Sequence, residues 1–122
     1  MKIKWKEIRM NLSVLLGRLV YEPELQRKEK EGSTTYWCRF RIAVDREYAK
    51  EKEADFFNCV AYGGRARYLV SYARKGGRLL LVGRVKNGDY TNKEGKRVCF
   101  TEIIVEDCQV IDYVDDKIRK EG

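Results

Sequence analysis

Five aromatic residues are interleaved with basic residues along the central part of the chain. The aromatic residues are Trp37, Tyr48, Phe56, Tyr62 and Tyr90, and the basic residues among them are Arg39, Arg41, Arg84, Lys86 and Lys93. Aromatic rings stack on nucleobases of any sequence at about 1–3 kcal/mol per base, and Lys and Arg neutralise phosphates. If the fold brings these side chains onto one surface, that surface is suited to an unpaired nucleic-acid strand.

The composition offers little support for catalysis. The sequence has no histidine, which excludes Ser-His-Asp and Cys-His systems and every His-containing metal site. The four cysteines form no Cys-x-x-Cys pair; they are Cys38, Cys59, Cys99 and Cys108. We interpret them as reduced thiols that act as small hydrophobic residues. A phosphate loop of the Walker type is also missing from the sequence, so we expect no enzyme, no cofactor and no metal.

Length and charge limit the broad class of the protein. The 122 residues suffice for one domain, and 26 Lys and Arg against 19 Asp and Glu give a net charge of +7. The sequence has neither an apolar run long enough to span a membrane nor a secretory signal in its first ten residues. We therefore expect a cytoplasmic protein with an N-terminal extension at 1–10, one domain at 11–112 and a short charged segment at 113–122. Trp5 and Ile8 could instead pack as a short helix.

The clearest secondary-structure signal is the alternation of side chains from Trp37 to Asp45. One face carries Cys38, Phe40, Ile42 and Val44, and the other carries Trp37, Arg39, Arg41, Ala43 and Asp45. This period of two predicts an amphipathic strand. Its second face combines an aromatic ring with two arginines, so it is either a binding surface or a subunit interface.

The remaining elements follow from similar patterns. We predict further strands at 11–20, 55–62, 78–85 and 98–105, the last continued by 107–111, and one helix at 65–75. Gly17 should mark a bulge or bend in the first strand, and Gly76–Gly77 should cap the helix. We interpret 28–33 as a polar loop. Residues 86–97 should form a long arm with its tip at Asn92–Gly95 in preference to Asn87–Gly88.

The order of these elements predicts the fold. Three strands, one helix and two further strands are the chain order of the five-stranded oligonucleotide/oligosaccharide-binding barrel, the OB-fold. We therefore expect an all-β barrel with one helix between its third and fourth strands. The exposed face of that barrel would carry the aromatic and basic residues.

Several segments resemble bacterial single-stranded DNA-binding proteins in the same order along the chain. These segments are Asn11–Leu19, Glu22–Leu25, Phe40–Val44, Ala54–Gly63, Tyr72–Gly76, Val82–Val85, Gly95–Arg97 and Thr101–Glu102. The resemblance covers about residues 11 to 112. It implies an OB-fold that assembles as a homotetramer around which single-stranded DNA wraps, near the nucleoid, in replication, recombination or repair.

The resemblance also implies roles for individual residues. Stacking positions would fall on Tyr48, Phe56, Tyr62 and Tyr90, and several members of the family have Trp at the first, second and fourth of these positions. Basic contacts would fall on Lys75 and on Arg84 or Lys86. Gly88 and Asp89 stand where the family often has basic residues, and Trp37 and Arg39 could compensate.

The chain ends without the Gly/Pro/Gln-rich linker and acidic tip that the family uses to recruit repair enzymes, so we do not expect that mode of recruitment. The sequence resembles a tailless paralogue or a form from a phage or mobile element. Two other hypotheses remain. One is a primosome-type accessory barrel that binds DNA and a helicase as a dimer. The other is a barrel whose aromatic face is a protein interface.

Overall fold

Six strands and one helix account for most of residues 9–47, 51 and 53–112, which are the residues that the computed structural model describes. The elements are β1 (Ser13–Leu19), β2 (Gln26–Lys30), β3 (Ser33–Asp45), β4 (Ala54–Tyr62), α1 (Gly63–Tyr72), β5 (Arg78–Thr91) and β6 (Arg97–Val110). Tyr48, most of the expected extension at 1–10 and the segment at 113–122 lie outside the described residues.

The strands close into a barrel in the order β1-β5-β6-β4-β3, with a second pairing of β1 to β3 completing the ring. Neighbouring strands are antiparallel except β4 and β6, which pair in parallel at Cys59–Ile103 and Val60–Ile104. The helix lies between the third and fourth barrel strands. The predicted OB-fold is confirmed, with β2 as an additional strand outside the ring.

Gly17 immediately precedes the point at which β1 changes its partner. Residues 13–18 of β1 pair with β5, and Arg18 and Leu19 also pair with Ala43 and Ile42 of β3. A Cβ atom at Gly17 would lie 2.6 Å from the carbonyl oxygen of Ala43. The glycine predicted to bend this strand therefore permits the close approach that closes the barrel.

The barrel interior is filled by alternate residues of its strands. Cys38, Phe40 and Ile42 of β3 are buried, as the alternation predicted, together with Leu79 and Leu81 of β5. The helix closes one end of this core through the buried side chains of Ala66 and Leu69.

Three of the four cysteines belong to this interior, and one does not. Burial raises the pKa of Cys59 to about 12 and the pKa values of Cys38 and Cys108 to about 11. These thiols therefore stay protonated near neutral pH and act as small apolar groups. Cys99 lies exposed on β6, so the interpretation of all four as packed hydrophobic residues is wrong at this position.

The helix begins and ends earlier than predicted. It spans Gly63–Tyr72 and not 65–75, and its C-cap is Ala73, which has an extended backbone. The Ala73 N–H donates to the carbonyl of Leu69, and the chain then leaves the helical path. Gly76, with a φ of 83°, belongs to the following turn and does not cap the helix.

The expected polar loop at 28–33 is wrong, because β2 and β3 form a hairpin there. Gln26 to Lys30 pair residue by residue with Trp37 to Ser33. Glu31 and Gly32 form the turn with φ values of 52° and 79°, as a two-residue type I′ turn requires. Every residue of β2 is exposed, so backbone pairing specifies this strand and no apolar alternation marks it.

The arm after the barrel is a long two-stranded ribbon. β5 and β6 stay paired from Val85–Ile103 out to Thr91–Arg97, so β5 extends well beyond the predicted 78–85, whereas β6 agrees with the predicted strand at 98–105 and its continuation at 107–111. At the tip, the Gly95 N–H donates to the Asn92 carbonyl and the Asn92 N–H to that of Lys96. The preferred turn at Asn92–Gly95 is confirmed. Among the described residues, the helix is too short and polar to cross a membrane.

Candidate nucleic-acid interface

The outer face of β3 and β4 brings together most of the residues singled out in the sequence. The register places Trp37 opposite Tyr62, Arg39 opposite Val60 and Arg41 opposite Asn58. Directly paired residues of antiparallel strands project from the same side of the sheet, with Cβ atoms about 4.5–5.5 Å apart. Trp37 and Tyr62 are therefore an aromatic cross-strand pair by register, next to the two arginines of β3.

Phe56 extends this surface toward the beginning of β4. Its side chain is 51% exposed, which is unusual for phenylalanine on a sheet. The guanidinium carbon of Arg41 lies 4.6 Å from the centroid of the Phe56 ring, within cation–π distance. A base and its phosphate would thus meet a ring and a cation at the same place.

Two buried apolar side chains lie at the base of this outer face of β3 and β4, which we call the platform. Val60 and Ile104 are buried, pair with each other across the parallel β4–β6 junction and do not belong to the interior cluster. This explains why both faces of residues 55–62 carry large apolar groups. Phe57, Cys59 and Ala61 fill the barrel, and Val60 supports the outer platform.

The arm continues the platform through β5. Arg84 lies opposite Ile104, Lys86 opposite Glu102 and Tyr90 opposite Val98. All three β5 side chains are exposed, and they alternate along one side of the strand. The side that carries the Trp37–Tyr62 pair thus passes through Ile104 onto the arm.

Phe100 is an aromatic residue of this surface that we did not predict. It lies on β6 opposite Gly88, and its ring centroid is 6.4 Å from that of Tyr90. A Cβ atom at Gly88 would lie 2.3 Å from Cζ of Phe100, so the absence of a side chain lets the ring lie flat on the arm. The alternation of Phe100, Glu102 and Ile104 within the predicted strand could have identified it.

Glu102 is an acidic residue in the middle of the basic set. Its Oε2 lies 3.4 Å from Nε of Arg39, and it faces Lys86 across the β5–β6 ladder. The Glu102 side chain is only 14% exposed. It therefore orients Arg39 and lowers the positive potential where two basic residues approach each other.

Asp89 does not add negative charge to the aromatic side of the arm. It precedes Tyr90 and so projects from the opposite side of β5. There it accepts a hydrogen bond of 3.1 Å from Nε of Arg97. This acidic residue of the arm is thus paired and directed away from Tyr90.

Two expected residues are not part of this platform, and a third lies outside the described residues. Lys75 follows the helix, where its backbone N–H donates to Oε1 of Glu22 at 3.2 Å. Lys93 is exposed in the turn at the tip of the arm. The third is Tyr48; among the described residues near it, Arg46 forms 2.9 Å ion pairs with Glu53 and Asp55.

Two adjoining grooves run beside the platform. One has a volume of about 220 Å³ and lies between Phe100, Glu102 and Asn58. The other has a volume of about 570 Å³ and lies beside Trp37. Tyr21 and Arg39 line both grooves, which therefore adjoin at these two residues. We name the surface made of Trp37, Arg39, Arg41, Phe56, Tyr62, Arg84, Lys86, Tyr90 and Phe100 the aromatic face.

Comparison with known proteins matches the sequence of this chain to one family. Residues 10–111 match the sequence model of the Single-strand binding protein family. A single-stranded DNA-binding protein of Clostridium perfringens is 39% identical over 103 residues, which are 84% of this chain and 67% of that protein. Single-stranded DNA-binding protein 2 of Clostridium acetobutylicum is 36% identical over 109 residues, covering 88% and 80%. The single-stranded DNA-binding protein of Fusobacterium nucleatum is 42% identical over 103 residues, covering 80% and 64%. The match spans nearly all the described residues, and the chain belongs to the single-strand binding protein family.

Proposed function

We propose that this protein binds single-stranded DNA along the aromatic face, without regard to sequence at most positions and without catalysis. Bases stack on Trp37, Phe56, Tyr62 and Tyr90, and Arg39, Arg41, Arg84 and Lys86 neutralise phosphates. Phe100 joins the stacking set. Tyr48 and Lys75 remain candidates at the margins of the path.

The observation that carries this proposal is the contact between Arg41 and Phe56. An exposed ring with a guanidinium 4.6 Å from its centroid offers two uses to a DNA strand. A base can stack on the ring after Arg41 turns toward a phosphate, or it can stack on the guanidinium itself. The first use exchanges the cation–π contact for stacking and a charge contact, and the second keeps the cation–π contact, so either use requires little rearrangement of the protein.

The spacing of the exposed groups suits an unpaired strand better than a duplex. The rings lie on the sheet surface itself, where only bases that are free of partners can reach them. Duplex DNA would present its phosphates and keep its bases inside. Phosphate neutralisation alone would then hold the duplex, without the stacking contribution.

A second surface supports assembly into homo-oligomers. Leu12, Val14 and Leu16 are 62%, 59% and 52% exposed on and just before β1. Val14 pairs with Val82 and Leu16 with Leu80 of β5. We name these five side chains the aliphatic face. Contiguous exposed apolar groups of this kind mark protein interfaces, and we favour a tetramer, with a dimer as the alternative.

The wider setting of the protein forms part of the same proposal. Residues 11–112 constitute the DNA-binding domain, with an extension at 1–10 and a charged segment at 113–122. The protein acts in the cytoplasm on DNA exposed during replication, recombination or repair. Its role there is to cover and protect the unpaired strand.

A titration with oligo-dT of several lengths, at two salt concentrations and with the mass in solution measured in parallel, tests the proposal. We expect tight binding of oligo-dT, weak binding of a duplex, and a logarithmic salt slope of about −0.7 for each phosphate contact. Equal affinity for duplex and oligo-dT at moderate salt would refute it. A dimeric mass would favour the accessory barrel that acts with a helicase.

A further inference from the structure

The larger of the two grooves contains a set of groups that base stacking alone does not require. Tyr21, Glu22, Glu24, Gln26, Trp37 and Arg39 line it. Its volume of about 570 Å³ falls in the range typical of pockets for small ligands. We propose that this pocket binds a guanine base of the bound strand, so that an otherwise sequence-tolerant protein has one base-selective position.

The pocket adjoins the aromatic face, so one strand can reach both. Trp37 stands between Gln26 of β2 and Tyr62 of β4 in a single cross-strand row. Tyr21 and Arg39 connect the pocket to the groove that contains Phe100. The inference rests on the proposed function, since a base enters the pocket only from a strand that lies on this face.

The charges of the pocket exclude a phosphate. Glu22 and Glu24 supply two carboxylates, and Arg39 supplies one cation, which is already 3.4 Å from Glu102. A phosphate would be repelled by the carboxylates more than Arg39 could attract it. A planar base with hydrogen-bond donors is the part of a nucleotide that fits between an indole ring and carboxylate oxygens.

Among the four bases, guanine is the one whose edges match these groups. Its N1–H and N2–H donors are adjacent, so both can reach the two oxygens of one carboxylate. Its O6 and N7 are the acceptors that arginine recognises. Thymine presents one donor between two carbonyl groups, while adenine and cytosine present one amino group beside an acceptor nitrogen. A carboxylate therefore meets an acceptor on each of these three bases.

The segment that carries the carboxylates of Glu22 and Glu24 is fixed to the barrel. Pro23 between them is buried, and the Val20 N–H donates to the carbonyl of Arg41 at 2.9 Å. The carboxylate of Glu22 accepts the N–H of Lys75. Glu22 is thus held in place by the turn after the helix, and Glu24 is the main acceptor for the base.

The test compares oligo-dT with the same oligonucleotide carrying one dG near its middle. We expect the dG oligonucleotide to bind about fivefold or more tightly, and dA or dC at that position to bind like dT. Replacing dG by inosine, which lacks the N2 amino group, should remove most of the preference. The variant E24Q should lower the ratio of dG to dT affinities to about one, because the amide loses one acceptor oxygen. E106Q removes the same charge outside the pocket and should keep the ratio.

The outcomes separate this inference from the proposed function. If oligo-dT binds tightly and dG gives no gain, the pocket does not select guanine and the aromatic face still binds DNA. A preference for dG that E24Q leaves intact would likewise refute the pocket as its origin. If oligo-dT itself does not bind, both proposals fail. In a W5F background, Trp37 is the sole tryptophan, and its emission should be quenched more strongly at saturation by the dG oligonucleotide than by oligo-dT.

Discussion

The barrel exposes two surfaces of opposite chemistry, and both are built from the same kind of strand. The aromatic face, on β3, β4, β6 and the arm, combines rings with guanidinium and ammonium groups. The aliphatic face, on β1 and β5, carries leucine and valine side chains that pair with each other across the ladder. Rings and charges suit a ligand that is itself planar and charged, whereas uncharged aliphatic groups suit a second apolar surface.

β5 shows how closely the two surfaces approach each other. Leu80 and Val82 belong to the aliphatic face, and Arg84 and Lys86, further along the same strand, belong to the aromatic face. The register shifts between Val82 and Gly83, where the strand leaves the barrel and enters the arm. A bulge of this type increases the local twist. The β5 side chains before the bulge therefore face a different direction from those after it, which separates the two surfaces.

The largest expected effect comes from removing rings of the aromatic face. The double variant F56A/Y90A should lose about 30-fold or more in oligo-dT affinity, since each lost stacking contact is worth about 1–3 kcal/mol. The mass in solution should stay the same. F56L/Y90L keeps the apolar volume without the rings and should lose affinity similarly. A changed mass with unchanged affinity would make this face a protein interface.

A charge on the aliphatic face should produce the complementary result. L16D would bury an unpaired carboxylate in any contact between aliphatic faces, which costs several kcal/mol. Light scattering should then show a smaller assembly, while short oligonucleotides that fit one subunit bind with nearly unchanged affinity. L25D places the same charge on an exposed leucine outside this face and should leave the mass unchanged. Loss of short-oligonucleotide binding in L16D would show that the two surfaces are not independent.

Removal of the Glu102 carboxylate should moderately increase the affinity for oligo-dT. E102Q removes the carboxylate beside Arg39 and opposite Lys86, so both cations become more available to phosphates. Oligo-dT should bind more tightly, and the logarithmic salt slope should steepen by up to about 0.7 for each recovered contact. E106Q serves as the control with the same change in net charge. An unchanged slope in E102Q would show that Arg39 does not contact phosphate.

The smallest effect concerns an ion pair that belongs to neither surface. Asp112 accepts hydrogen bonds from the backbone N–H and the guanidinium of Arg78, which lowers its pKa from 3.8 to about 2. Because the folded pKa is lowered, the stabilisation is present above pH 3.8 and is lost as the pH falls toward 2. D112N should therefore lower the melting temperature slightly at neutral pH.

The difference in melting temperature between D112N and the parent protein should shrink as the pH falls through 2 and vanish below it. D45N, which neutralises an exposed carboxylate at the end of β3, is the matched variant. Both variants should bind oligo-dT with unchanged affinity at neutral pH. A difference that persists below pH 2 would assign the effect to lost packing at Asp112 and not to its charge.

Regular alternation made part of this molecule predictable from its sequence. The strand at 37–45 has a buried side and an exposed side in the positions that the pattern indicated, and the chain order then fixed the OB-fold. β2 could not be found in this way, because all its residues are exposed and its pairing depends on backbone groups alone. The helix end was misplaced because Gly76–Gly77 looks like a cap, whereas the chain already leaves the helix at Ala73.

The site was predictable to a similar degree. The residues on the outer side of β3 and β4 came together because cross-strand register follows from two well-marked strands. Phe100 was missed because its role depends on Gly88 across the ladder, which is a relation between two strands and not a local pattern. The pocket beside Trp37 was missed because Tyr21 and Glu24 lie in an irregular segment after β1. No periodic pattern in that segment indicates the side on which its side chains lie.

The exposed hairpin strand β2 has a consequence for the behaviour of the protein at high concentration. Among the described residues it is the last strand of the sheet, with β3 as its neighbour on one side, so its outer backbone groups could template another chain. Its sequence Gln-Arg-Lys-Glu-Lys places charged side chains along that edge. Such residues discourage edge-to-edge association and fibre growth, which allows the protein to accumulate without polymerising through this strand.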